Sequence, residues 1–159
     1  MQLRVYKETD LPELAALFTR SVHTLGVSAY SPPELFAWAP VPPDLTVWQI
    51  RLAWLQVVVA EQEGKSLGFI GYSLDGHIDL LFTDPECCRR GIAKSLYRHV
   101  EARLIQWGVS HLTTDASVLA RPFFARQGFD VVAEERVERR GQRLLRYRME
   151  KRVVWSSTE

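Results

Sequence analysis

Apolar positions along this chain recur with two periods, and the switches between them mark out the elements. Leu3 to Tyr6 reads as a short strand. Leu14, Leu17, Phe18 and Leu25 then recur at helical spacing behind Thr9 or Asp10 as a cap. Pro12 falls in the first turn, where its missing N–H is not needed, so a helix runs to about Thr24. Val57 to Glu61 is a β-branched strand. Ser66 to Leu74 follows a Glu63-Gly64 turn, and His77 to Thr83 follows Asp75-Gly76, a hairpin signal because that turn needs positive φ. Ile92, Leu96, Val100 and Leu104 form an i, i+4 stripe, which predicts a helix from Gly91 to Trp107 that Gly108 stops. His111 to Asp115 is a strand and Val118 to Gln127 a helix with Pro122 early in it. Two long strands close the pattern, Phe129 to Glu138 and Gln142 to Arg152, turning near Arg140-Gly141.

Between the first helix and the first hairpin the periodicity breaks. Gly26 to Asp44 is irregular and holds Pro32, Pro33, Pro40, Pro42 and Pro43, with a short helix at Pro33 to Trp38 and another from Leu45 to about Trp54. Tyr30, Phe36, Trp38 and Trp48 make this stretch rich in aromatics for a surface loop. Loops of this kind on a rigid frame carry substrate contacts, and this one is expected to select a ligand and to move in its absence. The order of elements predicts an α+β, three-layer fold: a mixed, mostly antiparallel sheet of about seven strands with helices on both faces. One domain covers 1–152, and 153–159 reads as a loose tail.

Length and composition narrow the class. At 159 residues, 47% apolar and 25% charged, the chain has the profile of one soluble domain able to bury its own core. No stretch approaches the roughly 18–20 apolar residues of a membrane span, and Met1 to Asp10 has no secretory apolar region, so a cytoplasmic location is expected. Cys87 and Cys88 are adjacent, and His23, His77, His99 and His111 are scattered, so no metal site is predicted. A net charge of +1 gives no case for nucleic acid as the main partner. The basic run from Arg136 to Arg152 alternates with Glu134, Glu135, Glu138 and Glu150, as a salt-laced hairpin does.

The densest chemistry lies from Leu80 to Ala93. A strand ends, Asp84-Pro85 breaks it, and a helix begins at Arg90-Gly91-Ile92-Ala93. Free N–H groups at that helix start favour an anion, Gly91 and Ala93 allow close approach, and Arg89 and Arg90 suit phosphate oxygens. A pyrophosphate fits these features; solvated loop charges around a turn glycine are the plainer alternative.

In these residues the chain resembles the GCN5-related N-acetyltransferase superfamily, whose core motif reads Q/R-x-x-G-x-G/A after a strand ending in V-x-P. Here it stands as Thr83-Asp84-Pro85 and then Cys88-Arg89-Arg90-Gly91-Ile92-Ala93. Ala120-Arg121-Pro122-Phe123-Phe124-Ala125-Arg126-Gln127-Gly128-Phe129 resembles the second motif, A-x-x-F-Y-x-x-x-G-F, and the loop from Tyr30 to Pro40 resembles an uncharacterised bacterial branch. The resemblance implies transfer of an acetyl group from acetyl-coenzyme A to a primary amine of a small molecule, by direct attack in a ternary complex. It implies that the main chain of Phe82 and Thr83, beside Leu81, pairs with the pantetheine arm. Cys88, Arg89, Arg90, Gly91, Ile92 and Ala93, with Lys94 and Ser95, then hold the pyrophosphate. Arg126 reaches the adenosine phosphate, and Ser117 and Phe124 flank the cofactor arm. Three positions depart from the family pattern: Cys88 replaces a Gln or Arg, Ser117 an Asn, and Phe124 a tyrosine that protonates the leaving thiolate.

The reaction needs a base, because an amine of pKa about 10.4 is protonated at neutral pH. Asp79 is the candidate, a carboxylate in an otherwise apolar strand; the two-residue period places it on one face with His77, Leu81 and Thr83. A structural ion pair is its alternative role. Tyr30 is the candidate acid and a substrate contact, against simple packing of its loop. Trp38 and His77 are candidate substrate contacts, against loop core for one and an exposed turn residue for the other. Rival classes are a non-catalytic acyl-coenzyme A binding or sensing domain, a nucleic-acid binder using the basic hairpin, and a thioesterase. A homodimer is the default expectation for a small cytosolic enzyme.

Overall fold

The computed structural model describes residues 1–87 and 90–153. Its seven strands are β1 (Gln2–Val5), β2 (Gln56–Gln62), β3 (Lys65–Tyr72), β4 (His77–Thr83), β5 (His111–Ser117), β6 (Asp130–Arg139) and β7 (Gln142–Arg152). The helices are α1 (Leu11–Leu25), α2 (Pro32–Trp38), α3 (Leu45–Ala53), α4 (Ile92–Gln106) and α5 (Arg121–Arg126). The strands form one sheet in the order β1-β2-β3-β4-β5-β7-β6. Every neighbouring pair is antiparallel except β4 with β5.

The sheet separates two apolar cores. On one face Ile92, Leu96, Val100 and Leu104 of α4, the stripe legible in the sequence, meet Ile70, Ile78, Leu112 and Met149. Tyr97, Phe123, Phe124 and Phe129 add an edge-on aromatic cluster there. On the other face Leu14, Leu17, Phe18 and Val22 of α1 meet Val59, Phe69 and Leu80. The α2 and α3 segments complete that layer with Leu35, Trp48 and Leu52.

Local chemistry explains the starts of the short helices. Ser31 Oγ accepts from the Glu34 N–H while Glu34 returns a bond to the Ser31 N–H, a capping box that starts α2 despite its two prolines. Asp44 Oδ1 accepts from the N–H groups of Thr46 (3.0 Å) and Val47 (3.3 Å) to start α3. The helix expected from Val118 is shorter, because Ser117 Oγ first accepts from the Ala120 N–H (3.1 Å) and holds a turn ahead of α5. Val153, counted with the tail, is buried with its N–H on the Ser110 carbonyl (2.9 Å); 154–159 lies outside the described residues. No helix among the described residues is long and apolar enough to cross a membrane.

Candidate active site

The site is opened by a failure of strand pairing. β4 and β5 run parallel, yet their register holds only His77↔Thr113 and Ile78↔Thr114. At that point Thr114 Oγ1 donates to the Ile78 carbonyl (2.8 Å), filling a ladder position with a side chain. Beyond it the strands splay apart.

A bulge sits at the same point. Tyr72 faces Ile78 and Gly71 faces Leu80, which leaves Asp79 as the extra residue on β4. The side-chain period therefore breaks: Ile78 belongs to the α4 core and Leu80 to the α1 core, although they are two residues apart. This corrects the face expected from alternation. Leu81 packs towards α4, whereas His77 lies on the opposite face, with its ring against Thr113 and Asp115.

Opposite residues of an antiparallel pair alternate between exchanging main-chain bonds and pointing them away. The Asp84 N–H donates to the Leu67 carbonyl (2.8 Å). Counting back through Gly68↔Thr83, Phe69↔Phe82 and Ile70↔Leu81, the main chains of Thr83 and Leu81 face the splay and that of Phe82 faces β3. The pairing edge is thus Leu81 and Thr83. Phe82 contributes its ring, which lines the cavity beneath.

Where that edge ends, α4 begins. Gly91 is its N-cap with φ of 74°, a left-handed conformation that a side chain strains. Among the described residues, no atom lies within 4 Å of where its Cβ would be. The first bond of the helix runs from Ser95 N–H to the Gly91 carbonyl (3.0 Å), and no side chain among the described residues caps the N–H groups before it. Ile92 is buried under this turn, while Ala93 and Ser95 are half-buried and Lys94 is exposed. Gly68 on β3 permits the close fit, since a Cβ there would meet the Phe82 carbonyl at 2.9 Å and Ile92 at 3.1 Å. Arg90 donates to Gln62 Oε1 (3.0 Å) and lies 3.7 Å from Cys87 Sγ. Cys88 and Arg89 lie outside the described residues. Arg126 is exposed in the last turn of α5. These features suit the pyrophosphate and arm of a coenzyme A: an open strand edge leading to an uncapped helix start with room above its glycine.

The splay leads into a cavity of about 690 Å³. Asp79 stands in its wall, and its Oδ2 lies 3.3 Å from Arg51 Nε on α3. Trp38 closes one side, edge-on to Tyr30 (5.4 Å), Phe18 (6.3 Å) and Phe82 (6.3 Å). Ser117 and Phe124 line the end towards α5. The Tyr30 hydroxyl donates to the Leu145 carbonyl (2.8 Å) and accepts from the Val118 N–H (2.9 Å). It therefore clasps β7 to the segment leaving β5, and burial pushes its pKa above the usual phenol range. His77 is not brought to this cavity. Its Nδ1 meets Thr113 Oγ1 (2.8 Å) beside a second hollow of about 400 Å³, which shares Thr114, Asp115 and Arg146 with the first as lining.

Sequence reasoning missed Arg51, Arg139, Arg140 and Arg146, which all line the cavity. For Arg51 a signal existed: Asp44, Val47, Trp48 and Arg51 recur at i, i+3, i+4 and i+7, one face of α3, and all line the cavity. The other three sit on the hairpin read as a solvated surface. Arg140 donates to the Ala37 carbonyl (2.7 Å) and so ties that hairpin to α2.

Comparison with known proteins agrees with this geometry. Residues 44–151 match the model of the Acetyltransferase (GNAT) domain. YafP, an uncharacterised N-acetyltransferase of Escherichia coli K12, is 42% identical over 141 residues, 89% of each chain. YiaC, a peptidyl-lysine N-acetyltransferase of the same organism, is 33% identical over 84 residues, 51% of this chain and 54% of YiaC. The crystal structure of a GCN5-related N-acetyltransferase from Rhodopseudomonas palustris superposes with a TM-score of 0.91 at 30% identity, over 96% of this chain and 95% of that one. The domain match covers most of the chain and YafP nearly all of it, and both agree with the splayed sheet, so the chain belongs to the GCN5-related N-acetyltransferase (GNAT) family of acyltransferases.

Proposed function

We propose that the protein moves an acetyl group from acetyl-coenzyme A to the primary amine of a small molecule within a ternary complex. One observation carries the reading: the bulge sets the Asp79 carboxylate in the cavity wall at the point where β4 leaves β5. The main chains of Leu81 and Thr83 pair with the pantetheine arm, and the uncapped turn at Gly91 to Lys94, with Arg90, receives the pyrophosphate. The bound thioester supplies an acetyl group activated for attack.

Asp79 takes a proton from the incoming ammonium, directly or through one water, and frees the nitrogen lone pair. As nitrogen joins the carbonyl carbon, the Leu81 N–H, first on the open edge beyond the bulge, donates to the oxygen that gains charge. The carbon–sulfur bond breaks, the nitrogen gives its second proton through water to the leaving thiolate, and Asp79 returns the first to solvent. Tyr30 is a positioning residue in this scheme and not the acid, because its proton is committed to the Leu145 carbonyl. Phe124 and Trp38 shield the reacting atoms from bulk water.

The test is a screen for coenzyme A release over small primary amines and lysine-containing peptides. Turnover on a small amine, abolished by omitting the acetyl donor, is expected. Turnover on peptides alone would overturn the small-molecule reading.

A further inference from the structure

Resting on Asp79 as the amine's partner, we infer that the acceptor is a zwitterion: an amine carrying a carboxylate or similar oxyanion beside it, read by Arg51. Asp79 does not wait alone in the cavity. Arg51 Nε lies 3.3 Å from its Oδ2, and the two side chains are 42% and 35% exposed, so water reaches both. Such a pair is weak and exchangeable. It is also the first thing an ammonium group meets on reaching Asp79.

A plain cationic amine enters this arrangement badly. It competes with Arg51 for one carboxylate and sets two like charges side by side in a partly enclosed wall. A zwitterion replaces the pair member for member: its ammonium takes Asp79, and its oxyanion takes the Arg51 guanidinium, whose planar fork suits two oxygens.

The remaining charges of the cavity point the same way. Four arginines line it, Arg51, Arg139, Arg140 and Arg146, against Asp44, Asp79 and Asp115. Asp44 caps α3 through Oδ1 and Asp115 is shared between His77 (3.6 Å) and Arg146 (4.0 Å), whereas Asp79 has a single charged partner among the described residues, Arg51. Among the cations Arg140 is held by the Ala37 carbonyl and Arg146 by Glu135 (2.6 Å). Among the described residues Arg51 has Asp79 as its one carboxylate partner and Arg139 has none, its NH1 donating to the adjacent Glu138 carbonyl. The wall is therefore supplied with cations beyond what its own carboxylates engage. Arg51 sits over Trp48, 5.6 Å from the ring centroid, so its head is oriented before any ligand arrives.

Matched acceptors test this: methionine against methioninamide, phenylalanine against phenylalaninamide, β-alanine against β-alaninamide, and an aminophosphonate analogue. Turnover is read as coenzyme A release, and binding by calorimetry with coenzyme A present. Wild type should prefer the free acids by about ten- to a hundredfold in kcat/KM, as expected for losing a hydrogen bond to a charged group. Arg51→Gln should erase the preference through KM for the acids, and Arg51→Lys should restore part of it. The phosphonate arm tells carboxylate geometry from general oxyanion binding. Amides that bind and react as well as the acids in wild type, or a preference that survives Arg51→Gln, overturns the inference. Asp79→Asn separates the two readings: full turnover there breaks the base assignment, while the calorimetric preference for acids still reports on Arg51.

Discussion

The two sides of the cleft are made of different material. Towards α4 the protein presents main chain: the open edge at Leu81 and Thr83 and the uncapped N–H groups after Gly91. Towards α2, α3 and the β6–β7 hairpin it presents side chains: Asp79, Arg51, Trp38 and the arginines of the hairpin. Main-chain recognition depends on backbone shape, so Cys88, where the family has Gln or Arg, is expected to cost coenzyme A binding little. Side-chain recognition depends on which residues meet, and each substitution there changes the ligand. The difference teaches why the donor of this enzyme follows from its family while its acceptor must be argued from this chain's own contacts.

The largest effect should come from the side-chain wall. Asp79→Asn keeps the size of the residue in the bulge and removes the base, so turnover on a working acceptor should fall about 10²- to 10⁴-fold. Affinity for coenzyme A, measured by calorimetry, should stay within a few-fold, because the open edge is main chain. Turnover close to wild type would reduce Asp79 to the counter-ion of Arg51.

The complementary break is Gly91→Val. A φ of 74° is strained for any β-branched residue, by about 1–2 kcal/mol, and the new side chain fills the open space above the turn. The strain should appear as lost stability, and coenzyme A should bind at least several-fold more weakly because the side chain occupies the pyrophosphate's approach. The acceptor preference should not move. A variant that binds coenzyme A normally while folding normally would remove the pyrophosphate from this turn.

The local structure of the α4 side was largely legible in the sequence, because its signals are local. A glycine at a helix start, Asp75-Gly76 in a hairpin and the i, i+4 stripe of α4 are local signals, and each stands where it was expected. The acceptor side depends on contacts distant in sequence. Arg51 and Asp79 are 28 residues apart, and the Tyr30 hydroxyl reaches partners 88 and 115 residues away. Nothing in His77 to Thr83 signals the bulge, because register against β3 creates it. That single extra residue moved Leu81 and Thr83 to the face opposite His77 and transferred the pairing edge from Phe82 to Leu81.

Tyr30→Phe sharpens the contrast at the seam between the sides. The ring keeps its place against Trp38, but the Val118 N–H and the Leu145 carbonyl lose their partner, at a cost of about 1–3 kcal/mol in stability. The acceptor KM should rise a few-fold, while the pH profile of kcat keeps its alkaline limb. Burial raises the pKa of Tyr30, so the folded state holds the phenolic proton more tightly than the unfolded chain. The stability that follows is whole below the unfolded value of about 10 and is lost as pH rises through the folded one. The gap between wild type and variant, measured by denaturant unfolding, should therefore narrow above about pH 10. An alkaline limb that vanishes in Tyr30→Phe would instead make the tyrosine the acid.

The smallest expected effect concerns motion. The proline-rich stretch from Gly26 to Asp44, expected from its sequence to be a mobile cover, is fastened at both ends and in the middle. Tyr30 is tied to β7 and to the Val118 N–H, the capping box of Ser31 and Glu34 sets α2, Arg140 holds the Ala37 carbonyl, and Asp44 caps α3. His23 adds a ring nitrogen 2.7 Å from the Ala39 carbonyl. Amides protected by packing and hydrogen bonds exchange only through local opening, and each of these ties raises the free energy of opening. Hydrogen exchange of 26–44 should thus change little, within a few-fold, when coenzyme A and a working acceptor are added. Selection would then lie in the fixed charges of the wall, with Arg51 foremost. A large gain in protection on adding the acceptor would restore the mobile cover, and the contrast between a backbone side and a side-chain side would become one between a rigid side and a closing one.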